Sequence, residues 1–169
     1  MTSILVRNAQ PADFTRIVQL NEKEVHYTSK MDLGRLRLLD QIVAYHKVAA
    51  VEGQIAGFMF AMRDGANYAN DNFNWFSSRL INFIYIDRIV VDPIFSGRKI
   101  GSTMYRDLFD FAHSHGFQHI VCEYNVDPPN PVSQAFHDKW GFKEMGTQWL
   151  DGGAKRVSLQ IAKINTSNR

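Results

Sequence analysis

Apolar and polar positions along this 169-residue chain change period several times, and each change marks an element. Ile4–Arg7 reads as a first strand, and Gln10-Pro11-Ala12-Asp13 as a helix start with Pro and an acidic cap near the first turn. Phe14, Ile17, Val18, Leu20 and Val25 then form one helical face. Leu33, Leu36, Leu39, Ile42 and Val43 predict a second helix over Leu33–Tyr45. Lys47–Glu52 and Gln54–Met62 flank Gly53 as two hairpin strands. Arg63–Arg79 reads as a long irregular loop rich in Asn and aromatics. Ile81–Val91 is a strand so uniformly apolar that both its faces are expected to be covered. Gly101–His115 is a helix ended by Gly116, and His119–Asn125 a strand. Pro128–Pro131 forces a turn into a short helix, Val132–Trp140, stopped by Gly141. Glu144–Leu150 and Lys155–Ile164 close the chain as a hairpin around Asp151-Gly152-Gly153.

Composition narrows this little. The length fits one domain, taken as residues 1–164 with a disordered polar tail over 165–169. A net charge of +2 gives no global reason to expect nucleic acid or an anionic membrane as partner. The lone Cys122 excludes an internal disulfide framework. The start MTSILVRNAQPAD lacks a basic-then-apolar export pattern, and no apolar run reaches the ~20 residues of a membrane span. These features predict a soluble, cytoplasmic protein.

The chemistry concentrates in Ile81–Phe142, an apolar strand, a basic Gly-bearing loop, a helix, a second strand, and a Pro/Asn turn into another helix. Strand–loop–helix–strand is the parallel crossover unit. A loop of backbone N–H groups feeding a helix N-terminus binds anions. The phosphates of a cofactor are therefore expected at Ser96–Ser102. Neither GxxxxGK[ST] nor GxGxxG is present; the loop runs Val90-Val91-Asp92-Pro93-Ile94-Phe95-Ser96-Gly97-Arg98-Lys99-Ile100-Gly101-Ser102.

That stretch resembles motif A of the GNAT-type N-acetyltransferases, in which Gln/Arg-x-x-Gly-x-Gly/Ala follows a strand ending in Val-x-Pro. Asn130-x-x-Ser133-x-x-Phe136-His137-x-x-x-Gly141-Phe142 resembles the same family's pattern near the reactive end of CoA. The order of elements is similar over nearly the whole chain, and more loosely the sequence looks like a group of predicted bacterial acetyltransferases. Ser96 departs from the usual Gln/Arg, and Lys99 from the usual first Gly; Arg98 and Lys99 together are expected to offset the lost donor. The resemblance implies an α/β (α+β) fold. Its sheet is mixed and mostly antiparallel, with six to seven strands, helices on both faces and a splayed central parallel pair. It also implies acetyl-CoA as co-substrate. Ser96, Gly97, Arg98, Lys99, Ile100, Gly101 and Ser102 would hold the pyrophosphate. Ile89, Val90 and Val91 would flank the pantetheine arm, with backbone bonds from Ile89 and Val91. Asn130, Ser133 and Phe136 would complete the cofactor set.

Acetyl transfer to an amine requires loss of a proton from a group that titrates near ~10, donors for the oxyanion, and an exit for the thiolate. Alternation puts Val121, Glu123 and Asn125 on one face, and a carboxylate in a central strand needs a partner or a use. Glu123 is the first candidate base, acting directly or through water; a structural ion pair with Arg88 is the alternative. Asp87 is the rival base, with an orienting role beside Arg88 equally open. His137 takes the position where family members carry a general-acid Tyr, and packing is its alternative role. Asn130 also suits a helix cap. Cys122 faces away from Glu123 and reads as a buried hydrophobe, and the histidines show no metal spacing.

Loop Arg63–Arg79 far exceeds the ~2–5 residues of a hairpin connection. Its Tyr68, Asn72 and Trp75 suit the wall of a small-molecule pocket, with Glu22, Tyr27 and Met31 opposite. A contact between two copies in a homodimer, or a seal on the core, is the alternative use. The expected activity is N-acetyl transfer from acetyl-CoA to the primary amine of a small or amino-acid-like acceptor, within a ternary complex. A non-catalytic CoA-binding or sensing module on the same fold is the runner-up, and a nucleic-acid-binding domain is disfavoured by the weak charge.

Overall fold

A computed structural model describes residues 3–25 and 28–165. The described elements run β1 (Ile4–Asn8), a 3-10 turn (Pro11–Asp13), α1 (Phe14–Lys23), α2 (Leu33–Ile42), β2 (Tyr45–Val51), β3 (Gln54–Arg63), α3 (Asp71–Ser77), β4 (Phe83–Val91), a second 3-10 turn (Pro93–Phe95), α4 (Ile100–Ser114), β5 (His119–Asp127), α5 (Pro131–Lys139), β6 (Lys143–Leu150), a third 3-10 turn (Asp151–Gly153) and β7 (Lys155–Lys163). Seven strands form one sheet in the order β1-β2-β3-β4-β5-β7-β6. β4 and β5 are parallel, through the registered pairs Phe83↔His119, Ile84↔Ile120 and Tyr85↔Val121. The β1–β2, β2–β3, β5–β7 and β6–β7 ladders are antiparallel. The mixed α/β class and the central parallel pair expected from the motifs are therefore present.

The chain divides into two compact units, one built from residues 1–62 and 86–111, the other from 63–85 and 112–169. In the first, Phe14, Ile17 and Leu20 of α1 and Leu36 and Leu39 of α2 are buried together with Val48, Phe58 and Phe60 of β2 and β3. Arg7 grips the half-turn before α1 with two bonds to Asp13, at 2.7 and 3.0 Å. Tyr45 donates its hydroxyl to Asp107 at 2.6 Å, anchoring β2 to α4. In the second unit Phe73 and Phe76 of α3 meet Phe83 and Tyr85 of β4 in a contiguous aromatic cluster. Its β5–β7–β6 ladder buries Ile120, Val121 and Leu159.

Two expectations change. The second helix stops at Ile42, not Tyr45: Val43 is extended (φ −70°, ψ 146°), and Tyr45 and His46 instead pair with Ala61 and Phe60 of β3. The irregular loop over 63–79 contains α3, which Asn70 caps by accepting from the N–H groups of Asn72 and Phe73 at 3.0 Å each. Asn70 followed by Phe73 and Phe76 is a cap and an i, i+3 apolar pair, a signal too short to outweigh the polar residues around it. Other boundaries moved by a residue or two, as fraying ends do.

Candidate active site

The loop after β4 is fixed from below by a buried carboxylate. Asp92 is fully buried. It accepts from Arg16 at 2.6 Å, meets Lys23 Nζ at 3.5 Å, and takes the N–H of Ile94 at 3.2 Å. Burial alone would raise its pKa, but the Ile94 amide and the two cations outweigh burial and hold the carboxyl below the ordinary range. Its own N–H donates to Ala56 C=O at 2.8 Å, tying the end of β4 to β3. Phe95 is the apolar anchor of the turn, and the Arg98 guanidinium lies over its ring at 5.4 Å.

Beyond that anchor the backbone alternates hand. Gly97 (φ 80°) and Lys99 (φ 62°) are both left-handed, with Ser96, Gly97, Arg98 and Lys99 exposed. Thr103 N–H closes the first helical bond, on Lys99 C=O at 3.0 Å. The amides of Ile100, Gly101 and Ser102 therefore precede the helical ladder, on the positive end of the 15-residue α4. Left-handed residues alternating ahead of a helix start form the concave cluster of N–H groups that suits a pyrophosphate. Lys99, at the position where the motif resemblance expects Gly, adopts a left-handed conformation that favours glycine. In β4, Ile89 and Val91 are half-exposed while Val90 is packed, its carbonyl 2.7 Å from where a Cβ on Gly57 would stand.

Asp87 does not stand free in that strand. Its side chain is 4% exposed and accepts from Arg88 Nε at 2.8 Å. Arg88 in turn donates to Asn21 Oδ1 and Ser29 C=O, at 3.1 and 2.9 Å, and lies over Phe60. Asn21 also donates to Ser29 C=O, so one buried cluster pins the chain that follows α1.

In the second unit Glu123, half-buried on β5, receives the hydroxyl of Tyr85 at 2.9 Å from both carboxylate oxygens. Neighbouring Cys122 is buried, and burial first, then the Glu123 charge, pushes its thiol well up and leaves it unreactive. Asn130 caps α5 by accepting from Ser133 N–H at 3.3 Å. His137 is 6% exposed, packed against Tyr124, Phe136 and Phe142. Its Nδ1 lies 2.7 Å from Ser133 C=O, an acceptor, so Nδ1 carries the hydrogen. Burial pulls the imidazole below its usual pKa against the opposing Ser133 bond and Asp138 charge. Phe136 is half-exposed on the same helix, 6.4 Å from Trp140.

The acceptor-side residues are scattered over different environments. Tyr27 lies outside the described residues. Glu22 is exposed at the end of α1, whereas Met31 is buried. Asn72 is buried and accepts from Gln148 of β6 at 3.1 Å. The Trp75 indole covers Gly146 of β6, where a Cβ would lie 2.5 Å from it, and Arg79 lies 3.9 Å over its ring. Asn72 and Trp75 thus lock α3 to the sheet. Tyr68 alone of the three lines a cavity of about 370 Å³, with Asp64, Phe73, Asn74, Ser77 and Phe83. The sequence reading missed Tyr85, Arg16 and Asn21; their roles depend on strand register and helix docking that no local pattern encodes.

Residues 11–142 match the model of the Acetyltransferase (GNAT) family. The chain belongs to the GNAT acetyltransferase family. None of the curated proteins compared matches it by sequence. Among solved structures the chain is similar to the ribosomal-protein-S18-alanine N-acetyltransferase from Escherichia coli, at 12% identity and TM-score 0.75, covering 99% of this chain and 97% of that one. It is similar to Ard1 from Thermoplasma volcanium, at 14% identity and TM-score 0.75, covering 96% and 98%. It is also similar to yncA from Salmonella typhimurium, solved with its cofactor acetyl-CoA, at 19% identity and TM-score 0.73, covering 96% and 95%. At these identities the likeness establishes the GNAT fold and no acceptor. Among the described residues no three of His, Cys, Asp or Glu stand together as a metal site, and no helix is long and apolar enough to cross a membrane.

Proposed function

We propose that this GNAT protein moves the acetyl group of acetyl-CoA to a primary amine of a small or amino-acid-like acceptor by direct attack, without an acetylated enzyme. The observation that carries the reading is the left-handed pair Gly97 and Lys99 ahead of the α4 N-terminus, a diphosphate cradle in a chain whose family is acetyltransferase. Amides of Gly97–Ser102 hold the pyrophosphate, with Lys99 adding positive charge. Backbone groups of Ile89 and Val91 line the pantetheine arm, with Asn130, Ser133 and Phe136 on α5 as its further contacts.

Glu123 takes the proton of the acceptor ammonium, directly or through one water. The amine nitrogen then bonds to the thioester carbon, backbone N–H groups stabilise the oxyanion, and the adduct nitrogen gives its second proton to solvent as the oxyanion re-forms the carbonyl and the carbon–sulfur bond breaks. Asp87, committed to Arg88, orients the strand instead of serving as base. His137 holds α5 in place: its hydrogen is given to Ser133 C=O and burial favours the neutral ring, so a proton for sulfur is not at hand there. The CoA sulfur leaves as thiolate and takes its proton from solvent. Glu22, Tyr27 and Met31 remain the acceptor-side residues of the first unit.

The test is an amine panel with acetyl-CoA, reading thiol release, on the native protein and Glu123→Gln. Turnover with at least one primary amine, lowered by about 10²-fold or more in the variant, is expected. No turnover with any amine, alongside tight acetyl-CoA binding, supports a binding module in place of an enzyme.

A further inference from the structure

We infer that Arg16 of α1 is a positioning residue for the diphosphate cradle, acting through Asp92. That role rests on the reading of the Gly97–Ser102 amides as the cradle. The Asp92 carboxylate faces two ways. Its Oδ2 takes the Arg16 guanidinium at 2.6 Å, while Oδ1 takes the Ile94 N–H at 3.2 Å and lies 3.5 Å from Lys23 Nζ. The same Arg16 nitrogen donates to Ile55 C=O at 3.2 Å, and Asp92 N–H donates to Ala56 C=O at 2.8 Å. One guanidinium thus ties α1 both to β3 and to the residue on which the loop starts.

From Asp92 a run of main-chain bonds leads into the cradle. Asp92 C=O accepts from Phe95 at 2.9 Å, Pro93 C=O from Ser96 at 3.0 Å, Phe95 C=O from Arg98 at 3.3 Å, and Lys99 C=O from Thr103 at 3.0 Å. The N–H groups of Ile94, Phe95, Ser96 and Arg98 are therefore committed inside the turn. Peptide planes are rigid, so these bonds also set where the N–H groups of Gly97 and Lys99 point. Charge adds a second reason. Asp92 is fully buried, and a buried carboxylate at the foot of an anion site opposes the anion unless a cation offsets it. Arg16 is the nearer cation and is half-buried; Lys23 is exposed, where an ion pair contributes little. The guanidinium fork also reaches a carboxylate and a carbonyl together, which a single ammonium does less well.

The test is a pair of dissociation constants, acetyl-CoA by calorimetry and acetyl-pantetheine, which lacks the diphosphate, by displacement. Neither needs an acceptor. In Arg16→Met, acetyl-CoA should bind about ten-fold or more weakly, and acetyl-pantetheine should change by less than about two-fold. Lys23→Ala should weaken acetyl-CoA by less than about two-fold. Within Asp92→Asn, Arg16→Met should add little further, because the carboxylate it acts through is gone. Should Arg16→Met fail to fold, Arg16→Lys carries the test, with acetyl-CoA weakened by roughly three-fold and acetyl-pantetheine unmoved. Equal weakening of both ligands, native affinity for acetyl-CoA in the Arg16 variants, or full additivity with Asp92→Asn overturns the inference. A native protein that binds the two ligands equally overturns instead the cradle assignment beneath it, and does so without reference to Arg16.

Discussion

Replacing Gly57 by Ala tests how closely β3 and β4 approach where the phosphate loop is launched. The added methyl would stand 2.7 Å from the Val90 carbonyl, 3.4 Å from Val91 Cα and 3.4 Å from Ile100 Cγ2. The first two are backbone atoms and cannot rotate aside. β4 must therefore retreat by roughly 0.5 Å or more to reach ordinary contact. The retreat strains the neighbouring Asp92 N–H to Ala56 C=O bond of 2.8 Å and the Arg16 bond to Ile55 C=O of 3.2 Å. Overpacking of this kind costs about 2 kcal/mol, which in a chain of this size lowers the melting temperature by roughly 4–8 °C. Because Val90 and Val91 carry the strand assigned to the pantetheine arm, the KM for acetyl-CoA should rise several-fold as well. Thermal melts and acetyl-CoA saturation curves on purified variant read both effects. Gly34→Ala is the control: in α2 the methyl meets only Asp32 Oδ1, at 3.5 Å, and replacing glycine in a helix should stabilise by about 0.5 kcal/mol. Native melting and native KM for Gly57→Ala would refute the close approach.

Two further outcomes follow from the cradle and from two histidines, His137 buried and His119 half-buried. Lys99→Gly removes a left-handed side-chain conformation worth about 1 kcal/mol of strain, so the free protein should melt higher. The lost positive charge should weaken acetyl-CoA binding, by a margin that shrinks as salt is added; calorimetry at two ionic strengths checks it. Burial lowers the pKa of both His137 and His119, the latter with Lys163 adding to the effect. The stability linked to these rings is complete above their unfolded pKa of about 6.5 and is lost as pH falls through the folded values. Melting temperature should therefore drop below pH 6.5, and less steeply in His137→Phe, as a pH series of thermal melts would show.

Much of this was legible in the sequence because local rules carried it. Val91-Asp92-Pro93, the Gly97 and Gly101 spacing and the apolar face of α4 announce a strand–loop–helix unit before any register is known. Asn130-Pro131 likewise announces a capped helix, and the cap is present. What stayed hidden depends on pairing between distant segments. Tyr85 meets Glu123 only because Tyr85 registers with Val121. Arg88 was weighed as a partner for Glu123, yet it turns to Asp87, Asn21 and Ser29, contacts set by how the chain after α1 docks. The acceptor-side expectation rests on side-chain chemistry alone, and aromatic or amide side chains on a loop serve packing as readily as recognition. Asn72 and Trp75 are of that kind, held by Gln148 and Gly146.

The most direct test of the central claim is a ¹⁵N amide titration of the protein with acetyl-CoA. Saturable shifts centred on Gly97, Arg98, Lys99, Ile100, Gly101 and Ser102, absent when acetyl-pantetheine replaces acetyl-CoA, are the predicted result. Amide signals from these six residues that stay in place at saturating acetyl-CoA would contradict the claim that main-chain N–H groups there grip the diphosphate.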